Sequence, residues 1–184
     1  MKYFFNLLFF VLFSGLAFSQ QNKQHKHKIT YTNTNNFELF GNSESDFSGS
    51  KSTVYNKGFG FELNSFNGFY ITRKLVFSVG VGIVYSVNES YKALPIVAQL
   101  KWYLNDYHLN GPFILLNTGR NLRIGKFRGG GSAKLGIGYV LESDYDFKYV
   151  IGVYTKGKEY ILNNQTNFNY NTLSVGISIG IRTN

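Results

Sequence analysis

The last apolar stretch of the chain, Leu173 to Ile181, reads LSVGISIGI, with a large aliphatic residue at every odd position and Ser or Gly at every even one. A period of two is the signature of a pleated strand, whose successive side chains point to opposite faces. The pattern recurs along the chain. Phe59, Phe61, Leu63, Phe69 and Ile71 alternate with Gly60, Glu62, Asn64 and Gly68. Leu75, Phe77, Val79, Val81, Ile83, Tyr85 and Val87 alternate with Ser78, Gly80, Gly82 and Ser86. Leu94, Ile96, Ala98, Leu100, Trp102 and Leu104 oppose Pro95, Gln99 and Lys101. Ala133 to Leu141 and Tyr145 to Val153 repeat the motif. Segment 112–122 is apolar but ambiguous in phase, and 29–39 is the weakest candidate, rich in Asn and Thr.

These segments predict eight strands, at about 29–40, 55–72, 75–87, 93–104, 111–121, 131–141, 145–155 and 167–182. Their connections alternate in length. Those at 72–74, 105–110 and 142–144 are short; those at 41–54, 121–130 and 156–166 are long and polar, with 88–92 as a short exception. Short turns on one side and longer loops on the other, with an even strand count, describe an up-and-down antiparallel transmembrane β-barrel.

The chain starts with Lys2 followed by YFFNLLFFVLFSGLAF, and Ala17 and Ser19 supply the small residues of a cleavage site. Residues 1–19 therefore read as a secretory signal peptide. Residues 20–28, QQNKQHKHK, form a polar and basic lead-in, and 29–184 form the barrel domain. No later segment approaches the roughly 20 apolar residues of a membrane helix. The chain has no Cys, which excludes disulfides and thiolate metal sites. Its formal charge is +9, a balance that suits an anionic lipid surface as well as nucleic acid, and export removes the latter.

Alternation says that one face is apolar, not where that face points. The opposite faces carry Gly, Ser and Asn with few charges, and only 16% of the chain is charged, against about 25% in ordinary domains. Small residues suit a narrow lumen, because eight strands leave an interior just wide enough for side chains to fill it. Phe69, Trp102, Tyr139 and Phe147 fall on apolar faces near the short-turn ends, where a periplasmic aromatic girdle belongs. The lumen charges are then Glu62, Lys134, Lys101, Asp146, Lys148 and Arg182. Glu62 and Lys134 are expected to pair and plug the upper lumen, with a lower cluster gathered around Asp146.

GFELNSFNGFYITRKLVFSVGVGI (Gly60 to Ile83) and the closing LSVGISIGI resemble the small outer-membrane β-barrel domain proteins of Gram-negative bacteria. The resemblance implies an OmpX-like eight-stranded barrel in the cell outer membrane. It departs from the family pattern in ending Ile181-Arg182-Thr183-Asn184 rather than on an aromatic residue.

The reading of function is a structural or surface-interaction role with a filled lumen and no catalysis. Barrels that deacylate or acylate lipid A need a His near the outer lipid level. The His residues are His25 and His27 in the lead-in and His108 in a short turn. No cofactor or metal is expected; the His25/His27 pair lacks further ligands at useful spacing. Arg120, Arg123, Lys126 and Arg128 in the third long loop are candidates to hold lipopolysaccharide phosphates by charge-assisted hydrogen bonds. The expected partners are outer-membrane lipid, lipopolysaccharide and the assembly machinery, with the barrel a monomer. The competing readings are a soluble periplasmic barrel or sandwich around a small apolar ligand, a narrow pore, and a lipid A-modifying enzyme.

Overall fold

The structure is a computed structural model that describes residues 30–47, 53–54, 58–87, 91–106, 110–124, 127–162 and 169–183. Residues 1–29, where the signal peptide and lead-in are expected, lie outside the described residues, as do His108 and Lys126. Ten strands follow one another: β1 (Tyr31–Phe47), β2 (Thr53–Val54), β3 (Phe59–Tyr70), β4 (Leu75–Ser86), β5 (Tyr91–Tyr103), β6 (Gly111–Ile124), β7 (Phe127–Arg128), β8 (Gly131–Leu141), β9 (Phe147–Leu162) and β10 (Asn169–Thr183). No helix occurs among the described residues.

Eight of these strands are the staves of a closed antiparallel barrel in the ring order β1-β3-β4-β5-β6-β8-β9-β10. The ring closes where β10 pairs with β1, from Asn33 opposite Thr183 to Phe47 opposite Tyr170, with one slip between Asn42 and Glu44. The Asn- and Thr-rich first segment, the weakest strand by pattern, is therefore a full stave of 17 residues. Its inward positions Thr32, Thr34, Asn36 and Glu38 are polar and buried, so it alternates polar-in rather than apolar-in.

Three regions expected as long loops are built differently. β1 runs on to Phe47 and folds back as β2. β6 runs on to Ile124 and returns as β7, which pairs with β9. β9 runs on to Leu162 and pairs with β10 as far as Asn169. The barrel therefore extends on that side through further strand pairing, β1 with β2, β9 with β10 and β7 with β9. The opposite side is closed by tight connections. Thr72 Oγ1 accepts hydrogen bonds from the backbone N–H of Lys74 and Leu75 at 3.2 and 3.0 Å. Asn105 Nδ2 donates to the Asn110 carbonyl at 3.0 Å, and Asn110 Nδ2 donates to Glu142 Oε2 at 2.8 Å.

The apolar positions face outward. Val175 is 59% exposed and Ser174 between the strands' inner walls is 0% exposed. Phase in β6 is now settled: Ile114, Leu116 and Leu122 are exposed, while Phe113, Leu115, Asn117 and Asn121 are buried. Pro95 lies inward on β5, and the β4–β5 ladder skips the pairs between Val81–Ile96 and Val84–Ala93, where proline has no N–H to donate. The glycines on the inner wall make room for large neighbours. A Cβ on Gly80 would collide with the Phe66 ring, and one on Gly176 would meet the Tyr154 hydroxyl. Gly157, by contrast, has open space.

Gly80→Val should lower unfolding stability by about 1–3 kcal/mol through overpacking, whereas Gly157→Val should change it by no more than about 0.5 kcal/mol. Urea titrations followed by heat-modifiable gel migration would measure both.

Candidate functional site

The interior is the only enclosed polar region that the described staves create together, and it fills in layers. At the short-turn end Tyr70, Val76, Tyr103, Phe113, Leu115, Val140 and Val150 form an apolar plug. The Tyr103 ring packs 6.2 Å from Tyr70 and 5.7 Å from Phe113. Two cations sit over this plug: Arg182 lies 5.2 Å from the Tyr103 ring and Lys101 Nζ lies 5.0 Å from the Phe113 ring. A cation over an aromatic face recovers part of the hydration lost on burial. Phe66, Asn36, Asn64, Ser78, Gln99, Asn117 and Ser178 fill the waist.

Above the waist lies a quartet of charges. Glu38 on β1 is directly opposite Glu62 on β3, and Lys134 on β8 is directly opposite Lys156 on β9. Each neighbouring pair alone is like-charged and unfavourable. The two walls face each other across the lumen and neutralise each other. Lys134 Nζ donates to both oxygens of Glu38 at 2.6 Å, and Lys156 Nζ donates to Glu62 Oε2 at 2.5 Å. Asn64 Nδ2 donates to the other oxygen of Glu62 at 2.9 Å. Lys134 also lies 4.6 Å from the Tyr154 ring. One strand position further up β9, Lys158 Nζ lies 3.7 Å from the Phe40 ring. All four members of the quartet are buried, Glu62 to 1% exposure.

The outside is the reverse of the inside. Phe37, Leu63, Phe69, Val81, Ile96, Trp102, Leu116, Ile137, Val153 and Ile177 are among the large apolar side chains exposed around the ring. The closed ring is not a sandwich, and an apolar belt this extensive on the outside argues against a soluble barrel. No helix among the described residues is long and apolar enough to cross a membrane. A closed sheet crosses because its backbone groups are all paired within the ring.

No family model matches the chain, and no curated protein matches it by sequence. Solved structures do match. The chain is similar to Neisserial surface protein A, at 14% identity and a TM-score of 0.52, over 83% of this chain and 99% of that one. It is also similar to the outer membrane protein AlkL in lipid bilayers, at 9% identity and a TM-score of 0.51, over 89% of this chain and 96% of that one. The fold is that of a small outer-membrane β-barrel. An outer-membrane barrel of eight strands with an apolar belt resides in the cell outer membrane.

Within this outer-membrane barrel the charged residues singled out by sequence separate into groups. Glu62, Lys134, Lys101 and Arg182 are buried inside. Glu62 and Lys134, however, are not each other's hydrogen-bonded partners; Glu62 bonds Lys156 and Lys134 bonds Glu38. Lys148 occupies an inward position of β9 opposite Arg182 on β10 and is half-buried. Asp146 is exposed in the turn before β9 and does not anchor a cluster in the lumen. Sequence reasoning missed Glu38, Lys156 and Lys158. Glu38 continues the inward polar parity of Thr32, Thr34 and Asn36, and Lys156 and Lys158 continue the parity of Tyr154. Parity was the signal available; it was lost because 29–40 looked weak and 156–166 looked like a loop.

Phe69, Trp102 and Tyr139 are exposed on the outer face near the short-turn ends of their strands, and Phe147 is half-buried at the start of β9. Tyr145 stacks on Phe147 at 5.3 Å, and Tyr31 meets Phe69 edge-on at 5.9 Å. Arg120 is exposed near the far end of β6, opposite Gly131. Arg123 and Arg128 lie on the β6 and β7 backbones, and their side chains are outside the described residues. Among the described residues no group of His, Asp and Glu is arranged to hold a metal.

Glu62→Ala leaves Lys156 buried without its carboxylate and should cost about 3–5 kcal/mol of stability. Glu62→Ala combined with Lys156→Ala should cost less than the sum of the single changes, since each single change strands the other's charge. A double-mutant cycle by urea unfolding checks the coupling. Strict additivity would show that the two charges act independently.

Proposed function

We propose that this outer-membrane barrel has a structural or surface-interaction role and performs neither catalysis nor bulk transport. The filled lumen carries the reading. An aromatic plug at one end, packed amides at the waist and the Glu38–Lys134 and Glu62–Lys156 bridges above leave little continuous path for water. Chemistry and traffic are then left to the surfaces.

The short turns face the periplasm and the extended hairpins face outward, as in barrels of this type. Phe69, Trp102, Tyr139 and Phe147 form the periplasmic aromatic girdle, with their amphipathic neighbours Tyr31 and Tyr145 at the headgroup level. On the outer side the β6–β7 segment carries Arg120, Arg123 and Arg128, with Lys126 between them in sequence. Guanidinium and ammonium groups at that level hold lipopolysaccharide phosphates by charge-assisted hydrogen bonds. Membrane integrity is served by that contact, because it ties the barrel to the anionic outer leaflet.

In planar bilayers the folded protein should give no steady conductance above that of the lipid alone; a stable open channel would overturn the sealed-lumen reading. Replacing Arg120, Arg123, Lys126 and Arg128 together with Ser should reduce the lipopolysaccharide that co-purifies with heat-modifiable protein by several-fold. Unchanged co-purification would overturn the role of the hairpin.

A further inference from the structure

The lipid-facing wall is interrupted along the lower part of the β1–β3 seam. The outward positions there are Asn33 and Asn35 on β1 and Ser65 and Asn67 on β3. The register sets Asn33 beside Asn67 and Asn35 beside Ser65. These side chains are wired together. Asn33 Nδ2 donates to Asn67 Oδ1 at 2.8 Å, Asn35 Nδ2 donates to Asn33 Oδ1 at 2.7 Å, and the Tyr31 hydroxyl donates to Asn67 Oδ1.

The island is bounded by apolar surface. Phe69 and Ile71 lie below it and Phe37 and Leu63 above, all exposed. Ile181 stands beside Asn35 on β10, and Val79 and Val81 stand beside Asn67 and Ser65 on β4. Thr183 flanks Asn33 at the lower corner. With the aromatic girdle of the proposed function at the Tyr31 and Phe69 level, headgroups lie below Asn35 and Ser65 and the belt continues above.

Each primary amide carries two N–H donors and an oxygen acceptor. Three asparagines thus offer six N–H groups, and the internal network uses two of them, which leaves four outside the network. Hydrocarbon supplies no acceptor for them, and a polar group without a partner there is costly. A surface of amides both donates and accepts, so it is complementary to itself. Self-complementarity is the requirement for a twofold interface, in which both partners present the same patch.

We infer that the β1–β3 seam is the face through which two copies of this chain pair within the membrane, their Asn33, Asn35 and Asn67 amides bonding across a twofold axis with the surrounding aliphatic side chains in contact. The pairing depends on membrane residence but not on the sealed lumen or on the basic hairpin.

The absence of Cys allows a single labelling site, Asp144→Cys, in the exposed turn before β9. Donor- and acceptor-labelled copies are reconstituted together into phospholipid vesicles at large lipid excess. The expected result is energy transfer above the level of random mixing. It should fall to that level in Asn33→Val/Asn35→Val/Asn67→Val. A second variant, Ser65→Trp, keeps every amide but puts a bulky ring in the patch, and should lose transfer as well. Heat-modifiable migration establishes that each variant is folded, and if the triple variant fails to fold, Ser65→Trp decides. Transfer at the random level in the parent protein overturns the proposal and leaves the amides facing lipid. Transfer retained in a folded variant places any pairing elsewhere on the barrel and equally overturns it.

Discussion

Backbone N–H and C=O groups have no partner in hydrocarbon, and each one left unpaired there costs several kcal/mol. The seam between β1 and β10 answers that constraint, and the rest of the barrel depends on it. Without the pairing from Asn33–Thr183 to Phe47–Tyr170 the sheet would have two lipid-exposed edges. With it, every stave has a neighbour on both sides, and the apolar side chains are free to face outward. The same seam explains how a first strand rich in Asn and Thr can be a full stave. Its membership is set by edge closure rather than by greasiness, and its polar side chains line a lumen that needs them.

The lumen follows a second rule, that buried charge must be paired. Pairing along the sheet puts Glu38 beside Glu62 and Lys134 beside Lys156, an unfavourable arrangement on each wall. Bringing the two walls face to face converts both repulsions into cross-lumen bridges. A barrel this narrow makes that possible, since lysine can reach the far wall. The bridges also tie β1 and β3 to β8 and β9, strands that share no ladder. Charge neutralisation and a cross-link between opposite walls come from the same four side chains. Glycines complete the arrangement: Gly176 leaves room for Tyr154, and Gly80 leaves room for Phe66.

On the proposed reading, function belongs to the two surfaces that remain. The hairpins beyond the outer rim carry basic residues, and the lipid-facing wall carries one polar seam in an apolar belt. Both can be read as contacts with other molecules of the envelope, one anionic and one amide-bearing. The likeness to outer-membrane barrels of 14% and 9% identity concerns the shared fold.

The sequence by itself determined the approximate strand positions, the even count and, in the strands that alternate clearly, which residues share a face, because a period of two is a local property of each segment. LSVGISIGI already held the answer for β10: Leu173, Val175, Ile177, Ile179 and Ile181 are exposed, and Ser174, Gly176, Ser178 and Gly180 are buried. It also held Glu62, Lys101, Lys134 and Arg182 as inward charges, because parity alone assigns them. Only the tertiary structure decided which charge meets which, since Glu38 and Lys134 are 96 residues apart and Glu62 and Lys156 are 94 apart. It likewise turned polar loops into strand extensions at β1, β6 and β9, where hydrogen bonding to a neighbouring strand overrides composition. Closure, shear and the distance across the ring are properties of all eight staves at once, and no single segment encodes them.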